Sequence, residues 1–293
     1  MQHWGKYDKT GVYVMKNFII FSLLLGLSLA LSSCEEGDIS TGDRTADMGL
    51  ESTENDFSKS WTTLIGTQTF DNRSVFESAW NYYYPWGRDH NGSARMYGYP
   101  DHVYPSGGIL TLTANRITWD EGQSSASPYP TIHYHSGAIH AKQHILVNDR
   151  YPHYEIKGEF KAPTGTGTWP SFWLDGMESW PPEIDIMEFK GDSVNWQNTF
   201  RTSSDVSTIK KYVPEADSRW HEYRVWIAKV SNTEVEIHFY IDDAWTGMHR
   251  ANYVGKPLWI IINLQMEGSS GSPGPDKAVM QVRNMYVGRS EQW

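Results

Sequence analysis

Apolar and polar residues alternate in short runs along most of this chain, and from Trp61 onward no stretch carries a long helical period. Residues 108–114 (GILTLTA), 154–160 (YEIKGEF), 222–226 and 233–241 each place every second side chain on one face, the pattern of half-buried strands. Residues 256–264 are almost continuously apolar and suit a central strand, and residues 278–287 give another run. Ser106-Gly107-Gly108, Pro163-Thr164-Gly165, Asp242-Asp243 and Ser272-Pro273-Gly274-Pro275 separate these runs as turns. Short strands joined by Gly/Pro turns, without a repeat of roughly 20–50 residues, predict an all-β domain over residues 60–293, a sandwich or barrel of antiparallel strands.

One run departs from simple alternation. Trp180-Pro181-Pro182-Glu183-Ile184-Asp185-Ile186-Met187-Glu188-Phe189-Lys190 packs three carboxylates into six residues of an apolar segment, and charged groups are seldom buried without a purpose. On a regular strand Glu183 and Asp185 share a face while Glu188 points the other way. One inserted residue, a β-bulge, returns Glu188 to the face of the other two and leaves Ile184 and Ile186 to anchor the opposite side. A helix start is the competing reading, because proline and acids both suit a helix N-terminus. Positions i, i+2 and i+5 make no helical stripe, however, and the run is Ile-rich and closed by Lys190-Gly191-Asp192, which favours a strand.

Just upstream, residues 167–174 (GTWPSFWL) put Trp169, Ser171 and Trp173 on one face and Phe172 and Leu174 on the other. Beside the acidic strand, those two indoles would line the same groove as the acids; burial of both in the core is the alternative. Paired carboxylates in one groove are what glycoside hydrolysis needs, and aromatic faces stack on the apolar faces of sugar rings. His133 and His135 share a strand face as a metal pair would, but no third ligand is evident. The polar side chains of residues 195–200 (NWQNTF) either bind sugar hydroxyls or satisfy a sheet edge.

Composition narrows the partners. The 293 residues carry a formal net charge of -10, which argues against nucleic acid or an anionic membrane surface and against a heavily sulfated polymer. The single cysteine, Cys34, follows an apolar run at residues 18–31 that is short for a membrane span and is preceded by Met15-Lys16. Leu31-Ser32-Ser33-Cys34 resembles the lipobox of bacterial lipoproteins, with Cys34 as the lipidated residue. Residues 1–14 lack the character of a signal region and read as an upstream extension, with Met15 the alternative start. Residues 35–59 read as a flexible acidic tether.

Trp169-Pro170-Ser171-Phe172-Trp173-Leu174 followed by Glu183-Ile184-Asp185-Ile186-Met187-Glu188 resembles glycoside hydrolase family 16, in the branch with a bulged acidic strand that includes laminarinases, agarases, porphyranases and carrageenases. Ser136-Gly137-Ala138-Ile139-His140, Trp220-His221-Glu222-Tyr223 and Lys256-Pro257-Leu258-Trp259 with Ile262-Asn263-Leu264 extend the resemblance over most of residues 80–290. It implies a concanavalin-like jelly roll, a two-sheet antiparallel β-sandwich with a concave substrate cleft, and retaining endo-hydrolysis of a β-linked glucan or galactan. By the same resemblance Glu183 is the nucleophile, Asp185 the assisting acid and Glu188 the general acid/base, its pKa raised by its charged neighbours while Glu183 stays ionised. Trp169 and Trp173 are expected as subsite platforms, and His140, His221, Tyr223, Asn91 and Gln265 as further substrate contacts. His140, Gln265 and the Glu267-Gly268 pair depart from the residues relatives often carry there, so no relative's substrate can be copied. No cofactor is required; a structural calcium occurs in the family, with no ligands assignable here. A monomer is expected, meeting the membrane only through its lipid.

Two other classes compete. A glycan-binding lipoprotein on the same sandwich would not need three clustered acids that cost desolvation energy. A sandwich-fold polysaccharide lyase would need a base and a group to neutralise a uronate, which the acidic trio suits poorly. The expectation that this is a lipid-anchored lipoprotein of the bacterial cell envelope, at the outer membrane or cell surface, has a direct check. Cys34→Ala should move the protein from the membrane fraction of cells to the soluble one; a variant that stays membrane-bound would make the apolar segment an ordinary anchor.

Overall fold

The computed structural model describes residues 61–292; the apolar run, Cys34 and the acidic stretch lie outside the described residues. The chain enters through β1 (Trp61–Ile65), a 3-10 turn at Thr67–Phe70 and a short helix, α1 (Arg73–Ala79). There follow β2 (Trp80–Tyr82), β3 (Ala94–Met96), β4 (Val103–Ser106), β5 (Ile109–Arg116), β6 (Tyr134–Ser136), β7 (Ala138–Ala141) and β8 (His153–Lys161). Next come β9 (Thr168–Gly176), β10 (Glu183–Glu188), β11 (Val194–Phe200), β12 (Val206–Tyr212) and β13 (His221–Lys229). The last four strands are β14 (Val235–Ile241), β15 (Ala244–Ala251), β16 (Leu258–Met266) and β17 (Lys277–Ser290).

These strands make two sheets. One has ten strands, in the order β15-β14-β13-β8-β17-β5-β6-β3, with β1 on β17 and β4 on β5. The other has seven, in the order β12-β11-β10-β9-β16-β7-β2. All pairings are antiparallel except β3 with β6, a short parallel pair at one edge. The runs read as strands from their alternation become β5, β8, β13, β14, β16 and β17, and the acidic run is β10, a strand rather than a helix start. The two-turn helix α1 gave no periodic signal because it is too short; Asn72 caps it, accepting the Val75 amide at 3.1 Å.

Side chains from both sheets fill the layer between them. Phe160 on β8 stacks on Phe172 of β9 with ring centroids 5.1 Å apart, and Tyr223 on β13 meets Phe189, just past β10, edge to face at 6.2 Å. Phe172, Leu174, Ile184, Ile186, Met187, Ile260, Ile262 and Leu264 are all buried, so the seven-stranded sheet presents an unbroken apolar inner face. Each such side chain is worth about 1.5–3 kcal/mol of burial, which fixes the register of β9, β10 and β16. Because side chains alternate, fixing the inner face also fixes which side chains stand on the outer one. Phe172→Ala should therefore destabilise the domain by about 3–5 kcal/mol in denaturant unfolding; a loss under 1 kcal/mol would mean that the sheets do not depend on this contact.

Candidate active site

The outer face of the seven-stranded sheet is legible strand by strand. Across β10 and β9 the paired residues are Glu183 with Asp175, Ile184 with Leu174, Asp185 with Trp173, then Met187 with Phe172 and Glu188 with Ser171. The register slips by one between Asp185 and Met187, so Ile186 is the extra residue of a β-bulge. Ile186 and Met187 are both buried, and Glu188 emerges on the same face as Glu183 and Asp185. The bulge interrupts pairing with β11, which holds only Glu183, Ile184 and Asp185. The Glu188 amide is satisfied instead by the Asn195 side chain, whose Oδ1 accepts it at 2.8 Å.

The three acids line a cleft of about 760 Å³. From the sheet come Trp169, Ser171, Trp173 and Asp175 of β9, Asn263 and Gln265 of β16, and Phe200 of β11. Trp86, His90, Asn91, Ser127, Trp180, Lys190 and Ser269 enter from the connecting segments. Trp86 meets Trp173 edge-on at 6.0 Å, and the His90 ring stacks on Trp173 at 5.7 Å. Burial pushes the His90 pKa down to about 4, so this imidazole is neutral. The exposed aromatic surfaces are Trp86 and Trp180, at 45% and 51%.

Each carboxylate has its own set of donors. Glu188 accepts the Trp169 indole N–H at 2.7 Å and the Asn198 amide at 3.1 Å, and the Lys190 ammonium lies 3.0 Å away. The same Asn198 amide reaches Asp185 at 2.8 Å. Glu183 accepts the Trp180 indole N–H at 2.6 Å. Among the described residues that line the cleft, Lys190 is the one lysine or arginine. Burial pushes the Glu183 pKa up to about 8, with the neighbouring Asp175 and Glu188 adding to the rise. Asp185, wholly buried between Glu188 and Glu183, is raised well above its usual range, first by burial and then by those two charges. Burial also lifts Asp175 to about 7. The rise on Glu183 is a correction, since that carboxylate was expected to stay ionised, and burial is its first cause.

The sequence-based site residues are sorted by this geometry. Glu183, Asp185, Glu188, Trp169, Trp173, Asn91 and Gln265 meet in the cleft. Trp169 and Trp173 are only 7% and 6% exposed, however, and their indoles are spent on Glu188 and, at 2.7 Å, on Asn263. They brace the polar groups more than they offer open platforms. Gln265 is similarly committed, accepting the Ala94 amide at 2.8 Å and donating to its carbonyl at 3.2 Å. His140 stands on the cleft side of β7, beside Asn81 and edge-on to Trp259, but outside the cleft lining.

His221 and Tyr223 are a correction. Both belong to β13 in the ten-stranded sheet and turn inward, His221 to Asp242 at 2.7 Å and Tyr223 into the core. Alternation tells which residues share a face and says nothing of which sheet a strand joins. His133 and His135 each meet a carboxylate, His133 with Glu267 at 2.6 Å and His135 with Glu121. Of residues 195–200, Asn198 serves the acids, whereas Gln197 and Thr199 hydrogen-bond Thr246 and His249 at 2.7 and 2.9 Å.

Sequence reasoning missed Trp86, His90, Asp175, Lys190 and Phe200 as site residues. Asp175 alone carried a signal, since it continues the Trp169, Ser171, Trp173 face by two more residues. Glu267-Gly268 now has a physical meaning. Glu267 adopts φ of 56°, a left-handed value that favours glycine, and Gly268 has φ of 60° with Trp169 so close that a Cβ would lie 2.8 Å from its ring. Glu267 is held there by His133 at 2.6 Å, the Gly274 amide at 3.2 Å and Arg116 at 3.4 Å, which fixes the rim segment bearing Ser269.

Residues 94–273 match the family of glycosyl hydrolases family 16. A galactan endo-beta-1,3-galactanase from Flammulina velutipes is 45% identical over 232 residues, spanning 78% of this chain and 90% of that protein. An endo-1,3-1,4-beta-glycanase of Rhizobium meliloti (strain 1021) is 32% identical over 177 residues, 57% of this chain and 34% of that protein. Among solved structures, an endo-1,3-beta-glucanase from Streptomyces sioyaensis superposes with a TM-score of 0.63 at 18% identity, covering 80% of this chain and 98% of that one.

The raised Glu183 pKa has a thermodynamic consequence. Its protonated form is favoured in the fold, so the stability linked to it is complete below the ordinary value near 4.5 and is lost as pH rises through about 8. Glu183→Gln cannot ionise and escapes that loss. Its melting temperature should exceed that of the wild type by about 3–6 °C at pH 8 and by little at pH 5. Equal differences at both pH values would contradict a raised pKa.

Proposed function

The chain belongs to glycosyl hydrolases family 16, and from that premise we propose an endo-acting hydrolase of a β-1,3-linked galactan that works with retention of anomeric configuration. The observation that carries the chemistry is the bulge at Ile186, which brings Glu183, Asp185 and Glu188 to one face of one cleft. The substrate reading is supported by the galactanase from Flammulina velutipes, 45% identical and matched over 90% of its length. A galactopyranose ring suits exposed indoles such as Trp86 and Trp180, because its axial hydroxyl leaves the opposite face lined by C–H groups.

In the first half-reaction Glu183 attacks the anomeric carbon while Glu188 gives its proton to the departing glycosidic oxygen. In the second, Glu188 takes a proton from water, whose oxygen bonds to the anomeric carbon and releases Glu183. This needs Glu183 ionised and Glu188 protonated at the start; burial favours the protonated forms of Glu183 and Asp185, so Glu183 gives its proton up to solvent before it attacks. Asp185 shares the Asn198 amide with Glu188, so it stands where it can pass Glu188 a proton. Filling the cleft with sugar displaces water and draws Glu188 toward the glycosidic oxygen, which favours that transfer.

Glu183→Ala should lose more than about 1,000-fold in turnover and still bind polysaccharide through the aromatic walls. Azide should restore part of its activity and yield a glycosyl azide of inverted configuration. Early products of the wild type on β-1,3-galactan should keep the β configuration by NMR and include oligosaccharides of several lengths. Inverted products would overturn the roles of Glu183 and Glu188, and turnover of laminarin or mixed-linkage glucan in preference to galactan would overturn the substrate.

A further inference from the structure

We propose that Asp175 binds substrate directly, as a buried carboxyl that donates a hydrogen bond to a sugar hydroxyl beside Glu183. The inference rests on the reading of the cleft given above. Asp175 ends the cleft-facing side of β9, paired across the sheet with Glu183 on β10 and with Trp259 on β16. It is 7% exposed and lines the cleft, yet its Oδ1 is buried without a hydrogen-bond partner. Buried polar oxygens in folded proteins are almost always satisfied, and one left open on a binding surface marks a place where a ligand supplies the partner.

The surroundings set the form of the group. Glu183 faces it from β10, while Trp259 on β16 and Trp173 on its own strand carry no charge. Glu178 on the joining segment is exposed, and Lys256, leading into β16, lies over the Tyr253 ring. Lys190, the cation of the cleft, is held at Glu188. A carboxyl walled by indoles, facing a second carboxyl and lacking a cation keeps its proton, and burial lifts its pKa to about 7. In that form it has an O–H to give and a C=O to accept with, which matches a sugar hydroxyl on both counts. It also adds no charge of its own beside Glu183, so the group that binds the sugar does so without opposing the charge on the nucleophile.

Two variants separate binding from mere support. Asp175→Asn keeps the shape and the donor–acceptor pair and cannot ionise, whereas Asp175→Ala removes the contact. On β-1,3-galactan at pH 6, Asp175→Ala should raise KM about tenfold with kcat within about twofold of wild type, the size of one neutral hydrogen bond. Asp175→Asn should keep KM within about threefold and lack the rise in KM expected of the wild type as pH passes about 7. Calorimetry of β-1,3-galactotriose on folded Glu183→Gln protein, alone and combined with each Asp175 variant, reads the same contact without turnover. Equal affinity in the Glu183→Gln and Glu183→Gln/Asp175→Ala proteins would overturn the proposal, as would an Asp175→Asn pH profile identical to wild type. Full activity of Glu183→Gln would instead unseat the catalytic reading and leave the binding comparison intact.

Discussion

The site depends on one surplus residue. Without Ile186 in the bulge, strict alternation would send the Glu188 carboxyl into the apolar layer where Phe160, Phe172 and Tyr223 pack. With it, two adjacent side chains, Ile186 and Met187, are buried and the third acid returns to the outer face. The irregularity leaves an amide without a ladder partner, and Asn195 supplies the missing acceptor from the next strand. A fold-level constraint, the apolar inner face, and a chemical one, three acids on one side, are reconciled by that single insertion.

The acids are then held mostly by neutral groups. Two indole N–H donors and one amide do most of the work, with Lys190 the lone ammonium among the described cleft residues. Neutral donors orient a carboxyl without fixing its charge, so the protonation pattern is left to burial and to the mutual repulsion of the acids. That is a useful state for carboxyls that, in the proposed reaction, pass a proton among themselves.

Much of this was legible in the chain because period-two alternation is local. The spacing of Glu183, Asp185 and Glu188 asks for a bulge, and the GTWPSFWL run puts two tryptophans on one face. The tryptophans' work was not legible: whether an indole lies open to sugar or is spent on a carboxylate depends on burial, which the spacing of residues does not encode. His221 and Tyr223 were misplaced for a related reason, since a strand's sheet is decided by pairings such as β13 with β8, far apart in sequence. Trp86, His90 and Asn91 sit in an irregular connection with no periodicity at all. Their positions come from tertiary contacts, including Arg95 on Asp89 at 2.8 Å and Ser124 on the His90 carbonyl at 2.7 Å.

That division between ladder and loop also shapes how such a protein can change over generations. Glu183, Asp185, Glu188, Trp169 and Trp173 stand on strands whose register is locked by the buried layer beneath them, so an insertion or shift there disturbs the whole sheet. Trp86, His90, Asn91, Ser127 and Ser269 stand on connecting segments that can be rewritten or lengthened without moving a rung. Duplicated copies of the gene are therefore free to drift toward new polymers through the walls of the cleft while its floor, and the bond-breaking apparatus on it, is inherited unchanged.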